Sequence, residues 1–176
     1  AMQARSLQKR YDLLKAGRKL LHTRVLEDIS IKDICTEASC TVGSFYSRFE
    51  DKESYFDALI AEPNLALAMQ IANGTGKLLL DRPDDLGVTT KSTATDVVTL
   101  MDQAAEAFIV SELGKHRPND AILGEEGANQ VGTSGLQWVI DPIDGTVNYL
   151  HKVPHWCVSI GLMEESSGLA LAGVVY

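Results

Sequence analysis

The sequence predicts a mixed architecture. A small all-α helix-turn-helix unit over residues 5–60 is followed, over residues 62–176, by an α/β (α+β) half-domain with a mostly antiparallel sheet flanked by helices. Three observations carry that reading. Through the first third, apolar residues recur near helical spacing, and the breaks read as caps or turns. From Ala121 onward, short apolar runs alternate with turn-forming stretches, the pattern of strands. Charge divides the chain at the same point: residues 1–61 hold ten Lys/Arg against nine Asp/Glu, and residues 62–176 hold six against fifteen.

The first helix is predicted over 5–22, where Leu7, Tyr11, Leu14, Leu20 and Leu21 form one face and the basic residues mostly the others. Ser30 reads as an N-cap, with Asp33 at the third helical position, so a short helix should span 31–37. Thr41 caps a second short helix, about 42–48. Asp51 caps a longer one carrying Tyr55, Phe56, Leu59 and Ile60. Pro63 should end it, and a new helix should run from about Leu65 to Leu80, weakened by Gly74 and Gly76. Residues 82–87 read as a loop and 88–95 as extended. Val98, Met101, Ala105, Phe108 and Ile109 make a helical stripe. Strands are expected at 121–123, 137–140, 157–163 and 169–176.

Composition bounds the function. No apolar run approaches the roughly 20 residues of a membrane helix. The N-terminus leads straight into a charged amphipathic pattern, so no signal peptide is expected. Cys35, Cys40 and Cys157 follow no metal or redox spacing and read as reduced thiols of a cytoplasmic protein. The acidic second unit suits cations better than nucleic acid, and no membrane partner is expected. The start at Ala1 and the stop at Tyr176, which closes an apolar run, suggest a piece of a longer protein.

In the first unit, two short helices joined by a tight turn fit a DNA-reading motif whose second helix enters the major groove. Thr41, Val42, Ser44 and Tyr46 are small, polar or aromatic, as base and phosphate contacts require, and Lys52 is placed to pair with a phosphate. Phe45 and Phe49 read as core. The run from Ile31 through Lys52-Glu53 resembles the TetR repressor signature, with Gly43, Phe45, Tyr46, Phe49, Lys52 and Glu53 matching and Ser39 in place of the usual turn glycine. The resemblance implies DNA as a partner of residues 5–60 and a homodimer as the assembly to test. The plainer alternative is a helical bundle with no DNA role.

In the second unit, Gly124-Glu125-Glu126 follows a short apolar strand, and Asp141-Pro142-Ile143-Asp144-Gly145-Thr146 follows Trp138-Val139-Ile140. The run Thr95-Asp96-Val97-Val98-Thr99-Leu100-Met101-Asp102 opens a helix. Two carboxylates fixed at a strand end, with few bases nearby, make an oxygen site suited to Mg²⁺ rather than zinc. Gly145 and Thr146 should start a helix whose free N–H groups favour a phosphate oxyanion. Asp141 and Asp144 are expected to face one pocket. Each piece alone is ordinary: Asp-Gly is usually a turn and Glu-Glu a solvated face. His151 and His155 read as a surface loop rather than a zinc pair, because Pro154 breaks the helix such a pair needs.

Together, and in this order, these segments resemble the inositol-monophosphatase family, with further matches at Thr90-Lys91-Ser92, Asp96–Thr99, Val158–Gly161 and Gly173–Tyr176. The resemblance implies the fold of a sugar-phosphatase-type domain, present as its N-terminal part. It implies Mg²⁺ as cofactor and an inositol or sugar monophosphate as substrate. Glu125, Asp141 and the Ile143 carbonyl correspond to ligands of one metal ion, and Asp141 and Asp144 to ligands of a second, so Glu125, Asp141 and Asp144 should converge on one point. Thr146 and Asp102 correspond to the catalytic pair that positions and deprotonates the attacking water. Gly145 and Thr146 correspond to phosphate-binding backbone, and Lys91 to a phosphate or neighbouring group. The family's later metal-binding aspartate, in a Trp-Asp-x-Ala-Ala-Gly-like motif, has no counterpart here. Alternatives are a TetR-type regulator whose second unit senses a phosphorylated ligand or metal, and two unrelated gene pieces joined near Ala61–Pro63.

Overall fold

The structure, a computed structural model of the 176-residue chain, describes residues 2–90 and 97–176. The chain divides into two compact units, Ala1–Glu62 and Pro63–Tyr176.

The first unit contains α1 (Met2–Leu21), a 3₁₀ turn at Leu26–Asp28, α2 (Ile31–Glu37), α3 (Val42–Tyr46) and the start of α4 (Lys52–Leu80). Its helix starts follow the expected chemistry. Ser30 and Asp33 form a reciprocal capping box on α2. The Thr41 side chain accepts from Ser44 N on α3, and Asp51 Oδ1 accepts from Ser54 N at 2.8 Å at the start of α4. The end of α2 is a Schellman turn: Cys40 N donates to Cys35 O at 2.9 Å and Ser39 N to Thr36 O at 3.2 Å. Ser39 supplies the left-handed residue at φ 49°. Leu13, Leu14, Ile34, Phe45, Phe49 and Tyr55 lead a buried cluster, and Tyr55 Oη donates to Leu13 O at 2.7 Å across it.

Helix α4 corrects one expectation. It runs unbroken over 29 residues with Pro63 inside it. Proline removes one backbone hydrogen bond and crowds the preceding turn, but the flanking run of alanines and leucines is strongly helix-forming and carries the helix through.

The second unit adds β1 (Thr89–Thr90), β2 (Val97–Val98), α5 (Leu100–His116), β3 (Ala121–Gly124), β4 (Asn129–Gln130), β5 (Leu136–Asp144), α6 (Thr146–Leu150), β6 (Cys157–Glu164) and β7 (Ala170–Val175). Five strands form a sheet in the order β4-β3-β5-β6-β7. The β3–β5 pair is parallel and the other pairs are antiparallel, so the sheet is mixed and mostly antiparallel. The short β1, β2 and β4 have no apolar alternation to announce them. Trp138, Ile140, Val158, Ile160 and Leu162 point into a core shared with Ile71, Leu79, Ile109 and Leu113 of the helices. That packing fixes the C-terminal ends of β3 and β5 against α5, where the acidic motifs fall.

Candidate active site

The parallel β3–β5 register sets Gly124 opposite Ile140, and the ladder continues one step further as Glu125 N donates to Ile140 O at 3.2 Å. Glu125 and Asp141 therefore leave neighbouring strands side by side. In a regular strand residues 141 and 144 would face opposite sides. Here β5 is irregular between Asp141 and Asp144, where Pro142 has no N–H to give the ladder. The irregularity keeps Asp144 close enough for its charge to act on Asp141.

Asp141 is the most perturbed carboxyl of this group. Burial first, then a hydrogen bond with Glu125 and the charges of Glu125 and Asp144, together push it up to about 7 against a backbone hydrogen bond at Ile143. Its Oδ1 is buried with no hydrogen-bond partner. A half-buried carboxylate beside two others favours the protonated form or a neighbouring cation. Cys157 Sγ lies 3.7 Å from Asp144 Oδ2; burial, then the Asp144 charge, raises its thiol.

Among the described residues, no three His, Cys, Asp or Glu side chains form a ready cage for a metal ion, so the expected convergence on one point is not present as a three-carboxylate cluster. The donor set still fits a hard cation. Glu125 and Asp141 are in contact, Asp141 Oδ1 is unpartnered, and main-chain carbonyls such as that of Ile143 are ordinary ligands of hard divalent ions.

Thr146 opens α6. Gly145 before it sits at φ 100°, and a Cβ there would come within 2.9 Å of His155 O, so both conformation and space require glycine. Thr146 Oγ1 donates to Asp102 Oδ1 at 2.9 Å and lies 3.1 Å from Ile143 O. Asp102 is itself held: its Oδ2 accepts from Thr99 N at 2.8 Å and Thr99 Oγ1 at 2.6 Å in the capping box of α5. Asp102 is 1% exposed and Thr146 half-buried, so only the Asp102 end of their bond is shielded from water. Lys91 lies outside the described residues. His151 and His155 are exposed around the turn after α6.

On the first unit, Thr41, Val42 and Tyr46 are exposed on α3, as a contact surface requires, while Phe45 and Phe49 are buried. Ser44 is half-buried and its Oγ accepts from Arg48 Nη1 at 3.1 Å. Lys52 Nζ donates to Glu27 O at 3.4 Å and sits over the Phe56 ring. Val42, Tyr46 and Lys52 share an open cavity of about 530 Å³ with Ile29, Ser30 and Lys32.

Comparison with known proteins places both units. The model of the inositol monophosphatase family matches residues 61–176, about two thirds of the chain. The chain belongs to the inositol monophosphatase family. A second model, of bacterial regulatory proteins of the tetR family, matches residues 13–59. The Nus factor SuhB of Pseudomonas aeruginosa is 44% identical over 105 residues, covering 56% of this chain and 38% of the relative. A histidinol-phosphatase of Mycobacterium tuberculosis is 38% identical over 118 residues, covering 66% of this chain and 44% of the relative. Among solved structures, the extragenic suppressor protein suhB of Bartonella henselae superposes with a TM-score of 0.61 at 35% identity over 65% of this chain and 45% of its own. An IMPase of Thermotoga maritima gives 0.57 at 33% identity over 65% and 44%. The chain thus spans about two fifths of the length of the curated relatives it matches.

Two residues around this inositol-monophosphatase-family site escaped the sequence reading. Glu106, one turn after Asp102 on α5, is 6% exposed and accepts from Glu126 N and Ala128 N, each at 2.8 Å. Its signal was an acidic residue inside an apolar helical stripe. Arg82 donates to Tyr149 O, and to Leu150 O at 3.4 Å, while its guanidinium lies 4.5 Å from the centre of the Tyr149 ring. It satisfies carbonyls at the end of α6, and no local pattern announces it.

Proposed function

We propose that residues 62–176 carry the metal- and water-handling part of a Mg²⁺-dependent phosphoric monoester hydrolase for inositol or related sugar monophosphates. The observation that carries this reading is the 2.9 Å bond from Thr146 Oγ1 to a buried, doubly anchored Asp102, beside the Glu125–Asp141–Asp144 carboxylates. Glu125, Asp141 and the Ile143 carbonyl would hold one Mg²⁺, and Asp141 with Asp144 would hold part of a second. When bound, such ions polarise the phosphoryl group and lower the pKa of water. The chain's own residues then divide the work. Thr146 Oγ1 accepts a hydrogen bond from the attacking water while its own proton lies toward Asp102 Oδ1. As the water attacks, its proton passes to Thr146 and the threonine proton to Asp102, which acts as the base. The backbone N–H groups of Gly145 and Thr146 receive phosphate oxygens, with Lys91 assigned to the phosphate or its surroundings.

The test is a titration of the chain with Mn²⁺ as a spectroscopic stand-in, followed by phosphate release from inositol monophosphate with Mg²⁺. Binding should be lost in Asp141→Asn. Thr146→Ala should retain binding and lower phosphate release further, below the slow rate expected of the chain itself. Mn²⁺ binding unaffected by Asp141→Asn would overturn the site.

A second reading concerns residues 5–60, for which the exposed face of α3 and the tetR-family match favour DNA binding through Thr41, Val42, Ser44, Tyr46 and Lys52. Fluorescence anisotropy with duplex DNA should show binding that weakens steeply with salt and is reduced in Lys52→Ala. No binding at low salt would remove this reading.

A further inference from the structure

Helix α5 carries two buried carboxylates, Asp102 and Glu106, four residues apart and therefore on one face. Asp102 grips Thr146. Glu106 grips something else: the backbone that follows Glu125. Its Oε2 accepts from Glu126 N and its Oε1 from Ala128 N, both at 2.8 Å. The same loop is closed by Gly124 N donating to Ala128 O at 2.7 Å. The approach is so tight that a Cβ on Gly124 would lie 2.2 Å from Glu106 Oε2. Both ends of Glu125 are thus fixed: its own N–H is bonded to Ile140 O of β5, and the next peptide N–H is bonded to Glu106.

A buried carboxylate held by two backbone N–H groups is costly to place unless those bonds are needed. Helix α5 and β3 already share an apolar core, so a leucine at 106 would pack there without any desolvated charge. What a leucine would not do is hold two N–H groups of a turn that leaves the end of β3. We infer that Glu106 is a positioning residue: it fixes the backbone on either side of Glu125 so that this side chain meets Asp141, and α5 thereby orients both arms of the site. The inference rests on the reading of Glu125 and Asp141 as metal-holding residues. In metal sites generally, loss of such an outer partner lowers metal affinity about 10–100-fold.

The experiment compares the full chain with Glu106→Gln and Asp120→Asn. Glutamine keeps one acceptor oxygen and sets an NH₂ against the second N–H, so the loop loses one tie without a cavity. Asp120 is the control: it is equally buried and bonded to Trp138 Nε1 and Arg117, at the other end of β3. Two quantities are read, Mn²⁺ affinity and amide hydrogen exchange at Glu126 and Ala128 in the metal-free chain. Glu106→Gln should weaken Mn²⁺ binding about tenfold and accelerate exchange at those two amides. Asp120→Asn should lower thermal stability and leave Mn²⁺ affinity within a factor of two of the unmodified chain, taken as about the error of such a titration. Faster exchange with unchanged affinity in Glu106→Gln would overturn the inference while leaving the metal reading intact. Unchanged exchange would overturn it as well. Failure of the unmodified chain to bind Mn²⁺ would overturn the metal reading and, with it, the role of Glu106.

Discussion

Ser39 shows what a single side chain can decide. It stands at φ 49° in the turn between α2 and α3, a conformation that costs an L-residue about 1–2 kcal/mol. Glycine would remove that cost but lose more backbone freedom on folding, about 0.5–1 kcal/mol. Ser39→Gly should therefore stabilise the first unit by about 0.5–1 kcal/mol, seen as a higher urea midpoint with unchanged slope. A lower midpoint would mean that the serine side chain contributes more than its backbone strain costs. The turn itself was legible because its two flanking caps, Ser30 and Thr41, are local signals, whereas the place of Ser39 within it came from the resemblance to the TetR signature. The capping residues were legible for the same reason. Glu106 and Arg82 were not, because their partners lie 20 and 67 residues away and no local rule connects them.

The titration of buried groups is also a residue-scale property. Burial, aided by Cys40, pushes the Cys35 thiol from 9.0 to about 11, and burial raises Tyr55 as well. Between the unfolded and folded values the unfolded chain has released a proton that the folded chain still holds. Stability from Cys35 is therefore fully present below pH 9 and falls as pH rises toward 11. Thermal melts of the helical signal between these limits should show a falling midpoint, with part of the slope removed in Cys35→Ala. A midpoint that rises with pH in this window would contradict the burial of both groups.

At the scale of elements, the sequence pattern located strands and helices well where apolar periodicity was strong, as in α1, α5, β5 and β6. It failed at α4, where a local rule about proline met a longer helix. Pro63 cannot donate to the carbonyl of Leu59, and a proline inside a helix is about 3 kcal/mol less favourable than alanine. Pro63→Ala should raise stability by about 1–3 kcal/mol in denaturant unfolding and leave helical content by circular dichroism nearly unchanged. A large gain in helical signal would show that α4 frays at Pro63 in solution. The acidic motifs were legible as chemistry before any geometry because β3 and β5 end in them. Their exact arrangement was not, since it depends on the irregularity at Pro142 and on a parallel pairing between strands separated by a loop and β4.

At the scale of the whole molecule, two family models meet between residues 59 and 61, and the charge changes sign there. On the proposed reading the second unit would supply donors for one divalent ion and a water-activating pair, yet it spans only about two fifths of the curated relatives' length. It also has no counterpart of the Trp-Asp-x-Ala-Ala-Gly-like segment that the family resemblance leads one to expect. We therefore expect the 176-residue chain to bind one Mn²⁺ tightly and a second weakly, and to hydrolyse inositol monophosphate poorly even in excess Mg²⁺. Substrate positioning alone can be worth about 7–11 kcal/mol of barrier, and a chain that matches about two fifths of its relatives' length is expected to supply only part of it. Joining the chain at Tyr176 to the remaining segment of the Thermotoga maritima IMPase should give Mg²⁺-dependent phosphate release, and Asp144→Asn in that fusion should abolish it again. Fast turnover by the chain alone would show that residues 62–176 suffice for positioning as well as chemistry. Tight, sequence-specific DNA binding by the same chain, with no turnover in either form, would instead make the first unit the seat of function.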